Sequence, residues 1–192
     1  MAKSFDFQVM STTMLGAVNE NFKKFMKDEF SSPPAVKTIP VFLNDFGRME
    51  ASGLRKFHGR SYISVIYFYL SEKHFAKNDI CGSVVLYLRE GVAYPLIKAM
   101  GYVGANEKIT EEGLADMGGE LCNMLVGTFK NDISNLGYKD IFMSAPEKYI
   151  DLVPDGVRLF DKGQKVYQEF SFFLWDVRAI VVDLVMADVP RK

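Results

Sequence analysis

One stretch of the sequence gathers side chains that could do chemistry. Asp116, Glu120, Asn123 and Gly127 are spaced by four, three and four residues. At ~100° per residue that spacing returns all of them to one side of an α-helix. Leu114, Met117, Leu121, Leu125 and Thr128 repeat at three and four on another side, roughly 130° away, and would hold the helix to a core. Two carboxylates and an amide would then point outward from a firmly anchored helix, a rigid polar surface offered to a visiting partner. The plainer alternative is an ordinary solvated helix face. Against it, Asn is a mediocre helix former, and Gly118, Gly119 and Gly127 each cost roughly 1 kcal/mol relative to Ala. Such glycines make sense where something approaches the helix backbone closely, either the chain's own sheet or a partner.

Other chemistries find little support. The chain has 192 residues, two cysteines (Cys81 and Cys122) and two histidines (His58 and His74), none in a metal-ligand spacing. Neither a GxxxxGK[ST] phosphate loop nor a Ser-His-Asp arrangement can be assembled. Net charge is -1 and the 23 basic residues form no block, so nucleic-acid binding has no electrostatic footprint. The start MAKSFDFQVMSTTM has no continuous apolar segment of a signal peptide. No apolar run reaches the ~20 residues of a membrane helix, and the longest, Ala179 to Ala187, is interrupted by Asp183. A cytoplasmic, reduced protein with no membrane or nucleic-acid partner is expected, its cysteines small core residues.

Around the polar helix the periodicities lay out the rest. Residues 12–30 carry helical spacing at Met14, Leu15, Val18, Phe22, Phe25 and Met26, with Ser31-Ser32-Pro33-Pro34 as the stop. Val36 to Leu43 reads as a strand with an edge-compatible Pro40, followed by turn chemistry at Asn44-Asp45-Phe46-Gly47. Arg60 to Leu70 and Gly82 to Leu88 are strongly β-prone, joined by a polar stretch too long for a tight hairpin. Glu90 to Met100 is a short helix containing Pro95, with Gly101 beyond its end. Thr110 caps the long polar helix and Gly137 closes it. Strands follow at Tyr138 to Ser144, Val166 to Trp175 and Val177 to Met186, the last two adjacent and antiparallel around an unusual Trp175-Asp176 turn. Tyr67-Phe68-Tyr69 reads as sheet core, since no basic residues adjoin it as in a base-stacking platform. The order does not alternate as parallel βαβ units do. An α+β fold is expected: one domain over 1–192, an antiparallel β-sheet packed by two long helices.

The run Asp116-x3-Glu120-x2-Asn123-x22-Pro146 resembles the signature of the CheC/CheX/FliY phosphatases. A GSVVLYL strand and a short helix ending in Met100-Gly101 precede the motif helix, as in CheX-like members, and the likeness covers residues 80–147. It implies a CheC-like fold with an internal pseudo-repeat. Aligning Asn19 with Asn123 places Thr12 on Asp116, Gly16 on Glu120 and Phe25 on Phe129, while Pro40 falls two residues early. With glycine where the glutamate should be, one active site is expected instead of two. The resemblance further implies an aspartyl-phosphate phosphatase acting on a phosphorylated CheY-like response regulator. In proteins of this type the amide, here Asn123, orients the attacking water, and the glutamate, Glu120, pairs with the regulator's lysine. Asp116 would support Glu120, and Pro146 would shape the strand end beside the helix. No cofactor of its own is implied; Mg2+ belongs to the regulator. A homodimer joined through its sheets is implied as well. Two alternatives stand: a CheC-like module that binds or scaffolds a signalling partner without turnover, and a small-molecule-binding or structural domain with an accidental match.

Overall fold

Asp6 opens the first helix, its carboxylate accepting hydrogen bonds from the backbone N–H groups of Gln8 (3.0 Å) and Val9 (3.2 Å). The computed structural model describes residues 6–26, 30–41, 48–49, 54–102, 108–138, 140–159, 166–187 and 189–190. Helix α1 spans Phe7–Phe25, five residues earlier at each end than the apolar spacing of 12–30 predicts. Phe30 lies beyond the helix, its ring tilted against those of Phe22 in α1 (4.6 Å) and Phe172 in the sheet (5.0 Å). Strand β1 is Ser32–Pro40, so Pro33 and Pro34 lie inside a strand that the sequence places at Val36 to Leu43. They are tolerated because β1 is the edge of the sheet and its register shifts between Ser32 and Ala35, where no ladder donor is required. Residues 42 and 43 and the turn at Asn44 to Gly47 lie outside the described residues.

The remaining elements are β2 (Arg48–Met49), β3 (Ser61–Tyr69), α2 (Glu72–Ala76), β4 (Gly82–Arg89), α3 (Glu90–Ala99), α4 (Glu111–Asn135), β5 (Phe142–Met143), β6 (Glu147–Ile150), β7 (Val157–Arg158), β8 (Val166–Leu174) and β9 (Val177–Met186). The polar stretch between β3 and β4 contains α2, capped by the Ser71 hydroxyl. The strand expected over Tyr138 to Ser144 contracts to Phe142–Met143, and β6 forms just beyond it. Trp175 and Asp176 both have positive φ (50° and 60°), the backbone of a two-residue type I′ turn, without the usual glycine. The Ser31 hydroxyl steadies this turn by accepting from the Asp176 N–H at 3.0 Å.

All pairings in the main sheet are antiparallel, in the order β1-β8-β9-β4-β3-β5, with β6 also on β3. Two equivalent units are interleaved: helix, edge strand, then a strand pair. α1 leads into β1 and α4 into β5 and β6. Each edge strand lies on the other unit's strand pair, β1 on β8 and β6 on β3, which is the topology of an internal pseudo-repeat.

Alternate residues of the same strands feed two cores. Tyr62, Ile66, Phe68, Val84, Leu86, Phe170 and Phe172 face α1, α3 and α4. Ile63, Val65, Tyr67, Val85, Tyr87 and Tyr167 face the opposite side, where Met49, Phe57, Val153 and Val157 cover them. Burial on both faces explains why β3 is continuously apolar and not alternating. Asp183 interrupts its apolar run on that second face and is paired there: Lys56 Nζ lies 3.2 Å from it, and the Tyr87 hydroxyl donates to it at 3.0 Å. Among the described residues no helix is long and apolar enough to cross a membrane.

Candidate functional site

Helix α4 is fixed at both ends by its own sequence. The Thr110 hydroxyl accepts from the Gly113 N–H at 3.1 Å, Glu111 and Glu112 sit at the positive end, and Gly137 leaves the helix at φ +86°. Its buried stripe is Ala115, Gly118, Gly119, Leu121, Cys122, Leu125, Val126, Phe129 and Ile133. Leu121 and Leu125 belong to it as the spacing predicts, whereas Leu114, Met117 and Thr128 are only half-buried. The helix is rolled towards its glycines. A Cβ on Gly118 would meet Ser64 Oγ and Tyr62 Cβ of β3, each at 3.7 Å, and one on Gly119 would come to 3.0 Å of Lys148 Cδ and 3.5 Å of Pro146 Cγ. Gly118 and Gly119 thus answer to the chain's own sheet. On the other flank the Asn21 amide of α1 donates to Thr128 Oγ1 at 3.0 Å, so Thr128 serves the α1 contact.

This roll leaves Asp116, Glu120 and Asn123 exposed together on the side away from the core, with half-buried Gly127 in line behind them. Among the described residues neither Glu120 nor Asn123 is engaged by another side chain. Asp116 is engaged: the Lys148 ammonium donates to its Oδ1 at 2.5 Å. Pro146, immediately before β6, is half-buried beside Gly119 on the side turned to α4. The opposite face of β6 is locked separately. Arg158 donates to Glu147 at 2.8 Å and lies 4.1 Å over the Tyr67 ring, and the Tyr149 hydroxyl donates to Glu147 at 2.9 Å. Burial, then the Glu147 carboxylate, push the Tyr149 phenol up to about 12. The strand that carries Lys148 and follows Pro146 is therefore held from behind as well as against the helix.

Lys148 is the residue of this surface that the sequence does not single out. Its strand is four residues long, too short for periodicity to find. Its place two residues after Pro146 was the available signal, because alternate strand residues share a face.

The equivalent place on the other unit looks different. Thr12 and Gly16 are exposed and Asn19 half-buried, and a Cβ on Gly16 would meet nothing within 4 Å. A cavity of about 400 Å3 lies between α1 and β1, lined by Asn19, Phe22, Phe30, Pro33 and Pro34 among others. No carboxylate stands at position 16, so this half carries an amide without its acidic neighbour.

Comparison with known proteins defines the class first. The CheX from Vibrio vulnificus superimposes with a TM-score of 0.58 at 17% identity, covering 92% of this chain and 97% of that one. The chemotaxis protein CheX from Desulfovibrio desulfuricans gives 0.55 at 15% identity, over 93% and 99%. A chain of the CheX–CheY–BeF3–Mg2+ complex from Borrelia burgdorferi gives 0.50 at 15% identity, over 95% and 98%. None of the curated proteins matches the chain. The fold is that of the CheX and CheC-like chemotaxis proteins. Within it, residues 76–157 match the family described as chemotaxis phosphatase CheX, a segment that contains Asp116, Glu120, Asn123, Pro146 and Lys148. The chain is CheX-like in sequence over that segment and CheX-like in fold over nearly all its length.

Proposed function

We propose that this protein removes phosphate from the aspartyl phosphate of a CheY-like response regulator, using the exposed face of α4. The observation that carries this reading is an amide and a carboxylate, Asn123 and Glu120, one turn apart, exposed and uncommitted, on a helix that the sheet holds rigidly. The match of residues 76–157 to the CheX family supports it.

The chemistry suits those groups. Phosphoryl transfer passes through a loose transition state, and the regulator already supplies the aspartyl phosphate and its Mg2+, so the lever left is placing a water in line with phosphorus. An amide offers a donor and an acceptor and carries no charge to repel the phosphoryl oxygens. Glu120 is negatively charged and suits the cationic lysine of the regulator, fixing the depth at which Asn123 enters. Pro146 packs beside Gly119 and shapes the strand end, with no chemical part.

Asn123→Ala is expected to lower phosphate release from phosphorylated CheY-like regulators of the same genome by about 100-fold or more. Circular dichroism and melting should be unchanged, because Asn123 is exposed. Glu120→Ala should chiefly raise the half-saturating regulator concentration. Equal rates for wild type and Asn123→Ala would sink the assignment. Tight binding of activated regulator without accelerated phosphate loss would instead make this a non-catalytic CheC-like binding module.

A further inference from the structure

Two carboxylates stand one helical turn apart on the docking face, and only one of them is available. Asp116 and Glu120 are at i and i+4, so their side chains are neighbours and both are exposed. An incoming lysine would find either attractive. Docking on Asp116 instead of Glu120 would shift the partner by four residues of helix, about 6 Å, and carry phosphorus out of reach of Asn123. Helix geometry alone does not forbid that slip.

Lys148 does. Its ammonium sits 2.5 Å from Asp116 Oδ1. Its methylene stem runs past Gly119, with Cδ and Cγ 3.0 and 3.2 Å from where a Cβ would be, and so reaches Asp116 from the sheet-facing flank of α4. The missing side chain at position 119 is what lets the lysine lie so close. β6 is fixed from behind by Arg158 on Glu147, so the backbone that carries Lys148 is held in place beside α4.

We propose that Lys148 is a positioning residue that sets the docking register: by neutralising Asp116 it leaves Glu120 as the one acidic group open to the regulator's lysine. This rests on the reading of the α4 face as a regulator-docking surface. Lys148 touches neither phosphate nor water and acts through Asp116.

The test is a binding cycle with a CheY-like regulator activated by beryllofluoride and Mg2+, alongside phosphate release. Lys148→Met keeps an apolar stem over Gly119 and removes the charge. An exposed ion pair adds little stability, so melting should move by no more than about 2 °C. In the wild-type background Glu120→Ala should weaken binding about 10-fold; in the Lys148→Met background it should weaken binding less than about 2-fold, because the released Asp116 takes the lysine. Adding Asp116→Asn should restore the full loss. The Glu120→Ala, Lys148→Met protein should bind the regulator yet fail to speed phosphate release, since it docks in the slipped register. A Glu120→Ala loss of equal size in both backgrounds overturns the proposal. Wild type that binds without turnover removes the phosphatase reading, and the cycle still decides the role of Lys148. Wild type that binds no activated regulator of its genome overturns both.

Discussion

Asn123 and its neighbour Cys122 show how one step along a helix separates chemistry from packing. The Cys122 side chain is buried among Ser64 and the helix-side core, and burial pushes its thiol up to about 12, which leaves it an inert apolar filler. One residue on, Asn123 is exposed and uncommitted, its amide available to a water. The advantage of an amide over a carboxylate at this position is electrostatic and can be isolated. Asn123→Asp preserves shape and reach but brings a negative charge towards the phosphoryl oxygens. It is expected to lower maximal phosphate release about as much as Asn123→Ala, on the order of 100-fold, and to lose regulator affinity as well. Rate measurements across regulator concentration separate the two effects; an Asp variant retaining most of the wild-type maximal rate would show that charge does not matter at this position.

At the scale of the elements, α4 carries four glycines, and the three beyond its first turn, Gly118, Gly119 and Gly127, are divided by the structure two and one. Gly118 and Gly119 are explained by β3 and β6, but a Cβ at Gly127 would meet nothing within 4 Å. Among the described residues no contact explains a glycine there, yet it lies on the same face as Glu120 and Asn123. Gly127→Ala should therefore stabilise the protein by ~0.5–1 kcal/mol in urea unfolding, the helix-propensity gain with no steric cost. It should also raise the half-saturating regulator concentration, since the added methyl stands where a docked partner approaches the backbone. The same change at Gly119 should forfeit the gain, because the methyl must displace the Lys148 stem at 3.0 Å. Stabilisation with unchanged regulator affinity would place the docking surface away from Gly127. Spacing made the polar face of α4 legible, and Thr110 and Gly137 made its ends so. The roll of its buried stripe was not, because Gly118 and Gly119 carry no hydrophobic signal although they pack directly against β3 and Lys148. Strand β1 was misplaced for a related reason: Pro33 and Pro34 read as breakers, and only the edge position of the strand makes them harmless.

Across the whole molecule the second face of the sheet is secured by charge. Lys56, from the segment before β3, reaches Glu169 of β8 at 2.8 Å and Asp183 of β9 at 3.2 Å, and Arg178 adds 2.8 Å to Glu169. The cluster ties the covering segment to the strands that complete the interleaved units, and it gives stability a pH dependence of definite sign. Burial by itself would raise the Glu169 carboxyl, but the hydrogen bond and charge of Lys56, with Arg178, bring it below its ordinary 4.5. A depressed acid contributes stability that is present above 4.5 and lost as pH falls through the lower folded value. Burial by itself would lower Lys56, but Asp183 and Glu169 hold it above 10.5, so its contribution is present below 10.5 and lost as pH rises through the higher folded value. Lys56→Met removes the cation and leaves two buried carboxylates with less compensation, which should cost about 3–5 kcal/mol at pH 7. The variant can relieve that burden by taking up protons on Glu169 and Asp183. The gap between variant and wild type should therefore shrink as the pH is lowered from 7 to 4. Urea unfolding of both proteins across that range measures it. A gap that stays constant would mean that Lys56 holds the covering segment by packing on Tyr87 and Tyr167, whose rings lie 5.2 and 5.5 Å from its ammonium, and not by charge.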